Sequence, residues 1–169
     1  MINCIILAAG YATRLYPLTV DKPKALLSIG GQPLLNRLLK QIEGVENLGE
    51  VALVTNSRFY KIFSDWASGL DFPKKIEVID DGTDSNDNRL GAIGDLKFAI
   101  DKLKMKGDLL VLASDNLFEQ DLKNFCSTIS SHPDSAVIGV YDIQDPSLAA
   151  GRYGVVHTGD GDRISAIEE

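Results

Sequence analysis

The chain has 169 residues, of which 44% are hydrophobic and 24% are charged. These values are typical of one globular domain with a full core. The sequence contains neither an eighteen-residue apolar run nor a basic leader with a cleavage site, which argues against a membrane span and a secretory signal. The formal net charge of −7 argues against a general binder of nucleic acid or membrane surfaces. We therefore predict a cytoplasmic domain with neither kind of partner.

Strand and helix patterns alternate along the chain. Short apolar or alternating runs predict strands at residues 2–7, 51–55, 76–79, 109–113 and 136–141. Apolar side chains spaced along one helix face predict four helices, at residues 34–42, 59–66, 96–103 and 122–129. Pro33 suits the first position of the first helix. This alternation is typical of an α/β fold with a doubly wound, mainly parallel sheet and helices on both faces.

The pattern changes after residue 141. A polar, Pro-containing stretch is followed by two strand-like runs, residues 154–157 and 163–167, on either side of the sequence TGDGD. An EF-hand calcium loop needs a longer run of alternating Asp and a distant Glu, which this turn lacks. A β-hairpin is therefore the predicted structure.

The first predicted strand runs into a turn of small residues followed by cations. Ala8 to Gly10 would let backbone N–H groups approach an anionic ligand closely. Residues 1–40 hold five Lys and Arg against one Asp, net +4, whereas residues 41–169 hold twelve against twenty-three Asp and Glu, net −11. One basic segment in an acidic chain predicts a phosphate site. Its candidate cations are Arg14, Lys22 and Lys24.

Two other kinds of glycine loop fail on spacing. A Walker loop needs GxxxxGK[ST], and the chain contains no GK[ST]. A dinucleotide fingerprint needs GxGxxG, and Gly10 is followed by no second glycine until Gly30. A plain dinucleotide binder is therefore disfavoured, and a simple tight turn is the remaining alternative for an isolated AAG.

Residues 7–33, LAAGYATRLYPLTVDKPKALLSIGGQP, resemble the signature of the sugar-phosphate nucleotidylyltransferases, approximately LAAGxGTRLxPLTxxxPKxLxxIxGxP. Further on, LGAIGDLKFA at residues 90–99 looks like the family's LGTAGALKxA, and LLVLASDN at residues 109–116 looks like its metal-bearing strand end. RYGVV resembles the family's YGVV, and the terminal IEE resembles the start of its EKP motif. The resemblance covers the whole chain.

The resemblance implies a Rossmann-like nucleotide-diphospho-sugar transferase fold. It implies one nucleotidyltransferase domain over residues 1–169, with a nucleotide-binding part at 1–118 and the start of a sugar-phosphate-binding part at 119–169. Because the family continues past EKP with further strands, a second metal-binding carboxylate and often oligomer contacts, we expect a chain shortened at its C-terminus. A homo-oligomer stays open.

The implied reaction transfers a nucleoside monophosphate from a nucleoside triphosphate to a sugar 1-phosphate, giving an NDP-sugar and pyrophosphate with Mg²⁺ as cofactor. Arg14 can fork across two phosphate oxygens and Lys24 can place a compact charge near the α-phosphate, so both are candidate catalytic residues. Asp115 follows an apolar strand, and Mg²⁺ usually takes one or two carboxylates beside phosphate oxygens and water. Asp115 is thus the candidate metal ligand, with a helix N-cap or turn role as the alternative.

The other candidate site residues come from three segments. The candidates for binding the nucleotide are Leu7, Ala8, Ala9, Gly10 and Thr13. The loop DDGTDSNDN, residues 80–88, has the composition of a solvated connection, but it precedes the segment that resembles the family's base-reading part. Its candidates for base recognition are Asn86 and Gly91. In the family, the late hairpin lines the sugar-phosphate pocket, which makes Gly154 and Glu169 the acceptor candidates.

Two departures from the family pattern bear on the substrate. Ala12 replaces the second glycine of the signature, and we expect an ordinary backbone dihedral there, since a left-handed alanine would cost on the order of 1 kcal/mol. Ser114 stands where many relatives have glycine. Two alternative functions stay open: cytidylyl transfer to a phospho-alcohol such as phosphocholine, and a non-catalytic relative that senses nucleotide.

Overall fold

The computed structural model of the chain describes residues 1–129, 131–132 and 134–168. The chain forms two compact units, Met1–Ser127 and Thr128–Glu169. Its strands are β1 (Ile2–Leu7), β2 (Ser28–Ile29), β3 (Gln32–Pro33), β4 (Leu48–Thr55), β5 (Ile76–Asp80), β6 (Asp108–Ala113), β7 (Val155–Thr158) and β8 (Ile164–Glu168). Its α-helices are α1 (Leu34–Glu43), α2 (Ser57–Ser68), α3 (Gly91–Leu103) and α4 (Leu122–Ile129). The division into nucleotide and sugar-phosphate parts stays a prediction.

The first unit is built on a four-stranded parallel sheet in the order β5-β4-β1-β6. The central strand β1 ends in register with both neighbours, because Leu7 lies beside Val54 of β4 and beside Ala113 of β6. The backbone N–H of Ser114 then donates to the Leu7 carbonyl at 3.0 Å. The loops that follow β1 and β6 therefore leave the same edge of the sheet side by side, where parallel sheets bind ligands.

Helices cover both faces of this sheet. Alternate residues of β1 point to opposite faces, so Cys4 and Ile6 join a core with α1, α2 and α4, whereas Ile5 joins a second core with α3. Strands covered on both faces read as continuous apolar runs, which is why residues 2–7 and 51–55 lack polar alternation. The predicted doubly wound α/β fold is confirmed.

The four predicted helices are confirmed, although α2 begins two residues and α3 five residues before the predicted ranges. Pro33 lies just before α1, with φ −55° and ψ 141°, and belongs to β3. The prediction that it occupies the first helical position is therefore wrong by one residue. Its extended backbone lets it close the small β2–β3 hairpin before the helix begins.

The strand predicted at residues 136–141 is wrong. These residues are described and form neither strand nor helix. Their large apolar side chains are exposed, with Val140 at 66% and Tyr141 at 87%. A β-strand is stabilised by its hydrogen-bonded neighbours, and this segment pairs with no strand in the described part of the chain. An apolar pattern alone does not supply that neighbour.

The second unit contains the predicted hairpin. Strands β7 and β8 pair antiparallel, and a 3₁₀ turn at Asp160–Asp162 connects them. The Gly159 N–H donates to the Arg163 carbonyl at 2.7 Å and closes the turn. The hairpin prediction is confirmed within one or two residues at each strand. Among the described helices of both units, none is long and apolar enough to cross a membrane.

Candidate functional site

Lys24 and Asp115 meet at the carboxyl edge of the sheet. The Lys24 Nζ atom lies 2.6 Å from Asp115 Oδ2, although 91 residues separate them in sequence. Lys24 opens a 3₁₀ turn after Pro23, and Asp115 lies two residues beyond the end of β6. Both side chains keep about two fifths of their surface exposed, at 42% and 40%. Because of this exposure, both charges remain accessible to a ligand. A half-exposed ion pair of this kind adds little to the stability of the fold.

The ion pair borders a cavity of about 480 Å³. This volume falls within the range of small-molecule sites, roughly 300 to 1,000 Å³. The cavity lies over the end of β1, and its walls come from the connection after β1, the turn after β6 and Phe63 of α2. The predicted site residues among its lining are Leu7, Ala8, Gly10, Arg14, Lys24 and Asp115.

The turn after β1 gives this cavity an open backbone wall. A Cβ atom built on Gly10 would have nothing within 4 Å, so the space beside this glycine is free for a ligand. A side chain there would fill that space and keep a ligand away from the backbone. The Arg14 guanidinium is exposed and makes no ion pair within the described residues. It is therefore free to bind an anion.

Ala12 has a left-handed backbone, with φ 48° and ψ 39°. The expectation of an ordinary dihedral at this position is therefore wrong. The buried Thr19 hydroxyl donates to the Ala12 carbonyl at 2.8 Å and holds the loop in this form. For a residue with a Cβ atom this conformation costs roughly 1–2 kcal/mol. The glycine of the family signature would adopt it without that cost.

Asn56 also stabilises the turn after β1. This fully buried residue follows β4, and its Nδ2 atom donates to the Ala9 carbonyl at 2.9 Å. Its Oδ1 atom accepts from the Phe59 N–H at 3.1 Å and so caps α2. Sequence reasoning missed this link, although an asparagine between a strand and a helix is a recognised capping signal. The partner Ala9, 47 residues away, leaves no such signal.

Comparisons with known proteins show which family the chain belongs to. The family model described as nucleotidyl transferase matches residues 3–169. The chain belongs to the nucleotidyl transferase family. It is 33% identical over 169 residues to a candidate mannose-1-phosphate guanyltransferase of Sulfolobus acidocaldarius, covering 100% of this chain and 44% of that protein. It is 30% identical over 162 residues to the mannose-1-phosphate guanyltransferase of Saccharomyces cerevisiae, covering 90% of this chain and 40% of that protein.

Solved structures show the same fold. HddC from Yersinia pseudotuberculosis, in a complex with GMP-PN, matches with a TM-score of 0.70 and 24% identity over 100% of this chain and 69% of that chain. The Rossmann-like fold predicted for this nucleotidyl transferase is thereby confirmed. The chain spans less than half the length of the two curated relatives it matches.

Several predicted residues of this nucleotidyl transferase lie outside the cavity lining. Ala9 is buried with its carbonyl held by Asn56. Thr13 starts a 3₁₀ turn whose next two residues line the cavity, but Thr13 itself does not. Lys22 is exposed and does not line the cavity either. The binding roles of Ala9 and Thr13 stay predictions.

The base and acceptor candidates lie elsewhere. Asn86 Oδ1 accepts from Arg89 Nη1 at 3.0 Å in the loop after β5, and Gly91 begins α3 with φ 75°. Neither residue lines the cavity. Gly154 directly precedes β7 in the second unit, and Glu169 lies outside the described residues. The structure leaves these four assignments as predictions.

Asp115 has the chemistry of a magnesium ligand. Its carboxylate is half-exposed at the cavity, and Mg²⁺ prefers one or two such oxygens together with phosphate oxygens and water. Within the described ranges, no three His, Cys, Asp or Glu side chains are grouped to hold a metal ion. The residues present therefore fit a magnesium ion that arrives with a phosphate ligand rather than an all-protein metal cage.

Proposed function

We propose that this nucleotidyl transferase binds a nucleoside triphosphate over the turn after β1 and transfers its nucleoside monophosphate to a sugar 1-phosphate. The observation that carries this proposal is the 2.6 Å approach of Lys24 to Asp115 on the wall of a cavity that Arg14 and the Gly10 backbone also line. A cation, an anion and an open backbone at one sheet edge match the needs of a triphosphate and its metal.

The reaction needs charge neutralisation and alignment more than proton transfer. A phosphate oxygen of the sugar 1-phosphate attacks the α-phosphorus and forms a new P–O bond. The bond from the α-phosphorus to the bridging oxygen breaks, and pyrophosphate leaves with the electron pair. Because the attacking phosphate is already anionic, no general base is required. The protein must bring two polyanions together and stabilise the charge that grows on the leaving oxygens.

The described side chains divide this work. Arg14 can donate two parallel hydrogen bonds to phosphate oxygens, because its guanidinium is planar and unpaired. Lys24 supplies a point charge at the place where the chain of phosphates would pass Asp115. When Mg²⁺ is bound, Asp115 would hold it, and the ion would neutralise phosphate charge. Lys24 would then exchange its carboxylate partner for a phosphate oxygen.

The named activities of relatives supply the first substrates to test. Two of them are described as mannose-1-phosphate guanyltransferases. GTP with mannose 1-phosphate is therefore the first pair, and the whole reaction for this chain is part of the proposal, since the relatives are more than twice as long.

The test is a pyrophosphate-release screen with Mg²⁺. The five common nucleoside triphosphates are each paired with a panel of sugar 1-phosphates and with phosphocholine, and binding of each triphosphate is measured in parallel. We expect release for at least one sugar 1-phosphate. Release from CTP and phosphocholine alone would favour the phospho-alcohol alternative. Triphosphate binding without release in any pair would favour a nucleotide sensor, and the lack of both would refute the proposal.

A further inference from the structure

A chain of buried polar side chains joins the turn after β1 to the loop after β5. The Tyr11 hydroxyl lies 3.3 Å from Thr83 Oγ1, although the two residues are 72 positions apart. Thr83 Oγ1 and the Thr83 N–H both donate to Asp81 Oδ1, each at 2.7 Å. Since the single hydroxyl proton of Thr83 goes to Asp81, the Tyr11 hydroxyl donates to Thr83. All three side chains are buried.

A second buried carboxyl group, on helix α3, extends this series of hydrogen bonds. Asp95 in the first half of α3 is only 5% exposed, and its carboxyl forms a hydrogen bond with that of Asp81. Two carboxyl groups can bond to each other only if one of them carries a proton. Asp81 Oδ1 already accepts two hydrogens, whereas Asp95 Oδ1 has no hydrogen-bond partner among the described residues. The proton therefore belongs to Asp95.

The electrostatic surroundings agree with a neutral Asp95. Burial, and then the charge and hydrogen bond of Asp81, raise the pKa of Asp95 from 3.8 to about 7. A buried carboxylate with an unpartnered oxygen would be costly, and the neutral acid avoids that cost. At the other end of these hydrogen bonds, the charged groups that act on the Tyr11 hydroxyl are Asp81, Asp84 and Arg58.

We propose that Asp95 is a positioning residue of the nucleotide site: its protonated carboxyl donates to Asp81 and so fastens α3, through Thr83 and Tyr11, to the turn after β1. The inference deepens the proposed function and rests on it for the nucleotide readout. Asp95 stands where the segment that residues 90–99 resemble, LGTAGALKxA, has alanine. The same loop backbone is tied to α2, since the Ser57 N–H donates to the Thr83 carbonyl at 2.8 Å.

This arrangement makes the turn after β1 depend on a proton 84 positions away in the sequence. When Asp95 loses that proton, two negative carboxylates face each other in a buried place. The repulsion pushes Asp81 away from Asp95 and loosens Thr83, so Tyr11 loses its acceptor. Nucleotide affinity should therefore weaken as pH rises through neutrality.

Four variants separate these roles. Asp95→Asn keeps a donor to Asp81 and removes the titration, while Asp95→Ala removes the donor. Tyr11→Phe removes only the hydroxyl at the other end of the chain. Asp101→Asn is the matched control, because Asp101 lies on the same helix, exposed, and pairs with Lys97 at 2.6 Å.

The first readout is amide hydrogen exchange without nucleotide, corrected for the intrinsic effect of pH. At about pH 6 we expect Asp95→Ala to speed exchange roughly tenfold or more, both in residues 81–84 and in residues 10–16, which are remote from it in sequence. Asp95→Asn and Asp101→Asn should retain wild-type protection. If Asp95→Ala does not fold, Tyr11→Phe decides, and it should loosen residues 81–84.

The second readout is the dissociation constant of GTP with Mg²⁺ between about pH 6 and 8. Wild-type affinity should fall by roughly fivefold or more across this range, whereas Asp95→Asn should show no such fall. Exchange changes confined to α3, or the same pH profile in wild type and Asp95→Asn, would overturn the inference. If wild type binds none of the five nucleoside triphosphates while the exchange pattern holds, the nucleotide assignment fails and the positioning role stands. If wild type binds GTP tightly while Asp95→Ala leaves amide exchange unchanged, the nucleotide assignment stands and the positioning role fails.

Discussion

Single residues at the sheet edge carry the proposed chemistry. Their roles and conformations differ in how well the sequence predicts them. Lys24 and Asp115 were both predicted, because a charged side chain next to an apolar strand or within a specific motif stands out locally. Their contact follows from the register of β1 and β6. The dihedral of Ala12 was predicted wrongly, since it is held by a hydrogen bond from Thr19, seven residues further on.

Removing either charge of the ion pair should abolish most activity and spare the fold. We expect Lys24→Ala and Asp115→Ala each to lower the rate of pyrophosphate release by roughly a hundred- to a thousandfold, as for loss of a group that stabilises transition-state charge. The thermal midpoint should hardly change, since a half-exposed ion pair contributes at most about 1 kcal/mol. Lys61→Ala is the control, because Lys61 pairs with Asp65 on the exposed face of α2. Near-normal rates in either variant would contradict the roles assigned.

Replacing Ala12 by glycine should stabilise the protein. Relief of the left-handed alanine is worth about 1–2 kcal/mol, and the added freedom of glycine in the unfolded chain costs about 0.5–1 kcal/mol. The free energy of unfolding in urea should therefore rise by roughly 0.5–1 kcal/mol. Ala92→Gly, at an exposed position in the first turn of α3, should instead lower it by a similar amount. Equal effects of the two changes would count against the strain at Ala12.

The buried Asp95 should give stability a pH dependence of known sign. Its pKa is raised from 3.8 in the unfolded chain to about 7 in the folded one. The stabilising contribution of its proton is therefore complete below about pH 4 and is lost as pH rises through about 7. In that window the free energy of unfolding should fall by up to about 1.4 kcal/mol per pH unit. In urea titrations at several pH values, Asp95→Asn should remove this slope and Asp101→Asn should not.

At the scale of helices and strands, the pattern of apolar residues predicted most of the fold. The sheet strands and four helices follow from their runs and stripes, because burial of one face dictates the period. Residues 136–141 form no strand, because pairing depends on a neighbour that the run itself does not specify. The links between elements were also missed. Asn56 and the Asp81–Asp95 pair join segments far apart in sequence, and neither partner reveals the other.

The link from α2 to the turn after β1 can be divided into its two bonds. Asn56→Ala removes the helix cap and the donor to the Ala9 carbonyl, and should lower the free energy of unfolding by roughly 2–4 kcal/mol. Asn56→Ser can restore the cap to Phe59 without reaching Ala9. We expect it to recover about 1 kcal/mol of stability while nucleotide binding stays weak. Full recovery of binding by serine would show that the bond to Ala9 has no part in the site. Urea unfolding and a nucleotide titration measure the two effects.

In the molecule as a whole, the segment that is rich in Lys and Arg also contains a central strand of the sheet. The basic segment, residues 1–40, lies in an otherwise acidic chain, and its strand β1 is central in the sheet with β6 beside it. Sequence alone located this segment and its edge of the sheet. It could not give the cavity, whose walls come from loops that are distant along the chain. The central claim is therefore one of place, that a triphosphate lies between the turn after β1 and Asp115.

A crystal structure of the chain with a non-hydrolysable nucleoside triphosphate and Mg²⁺ tests that claim most directly. We predict phosphate density over the Gly10 backbone, within hydrogen-bonding distance of Arg14 and Lys24, and a metal ion on the Asp115 carboxylate. Bound nucleotide at another surface, with the Lys24–Asp115 pair unchanged, would contradict the account.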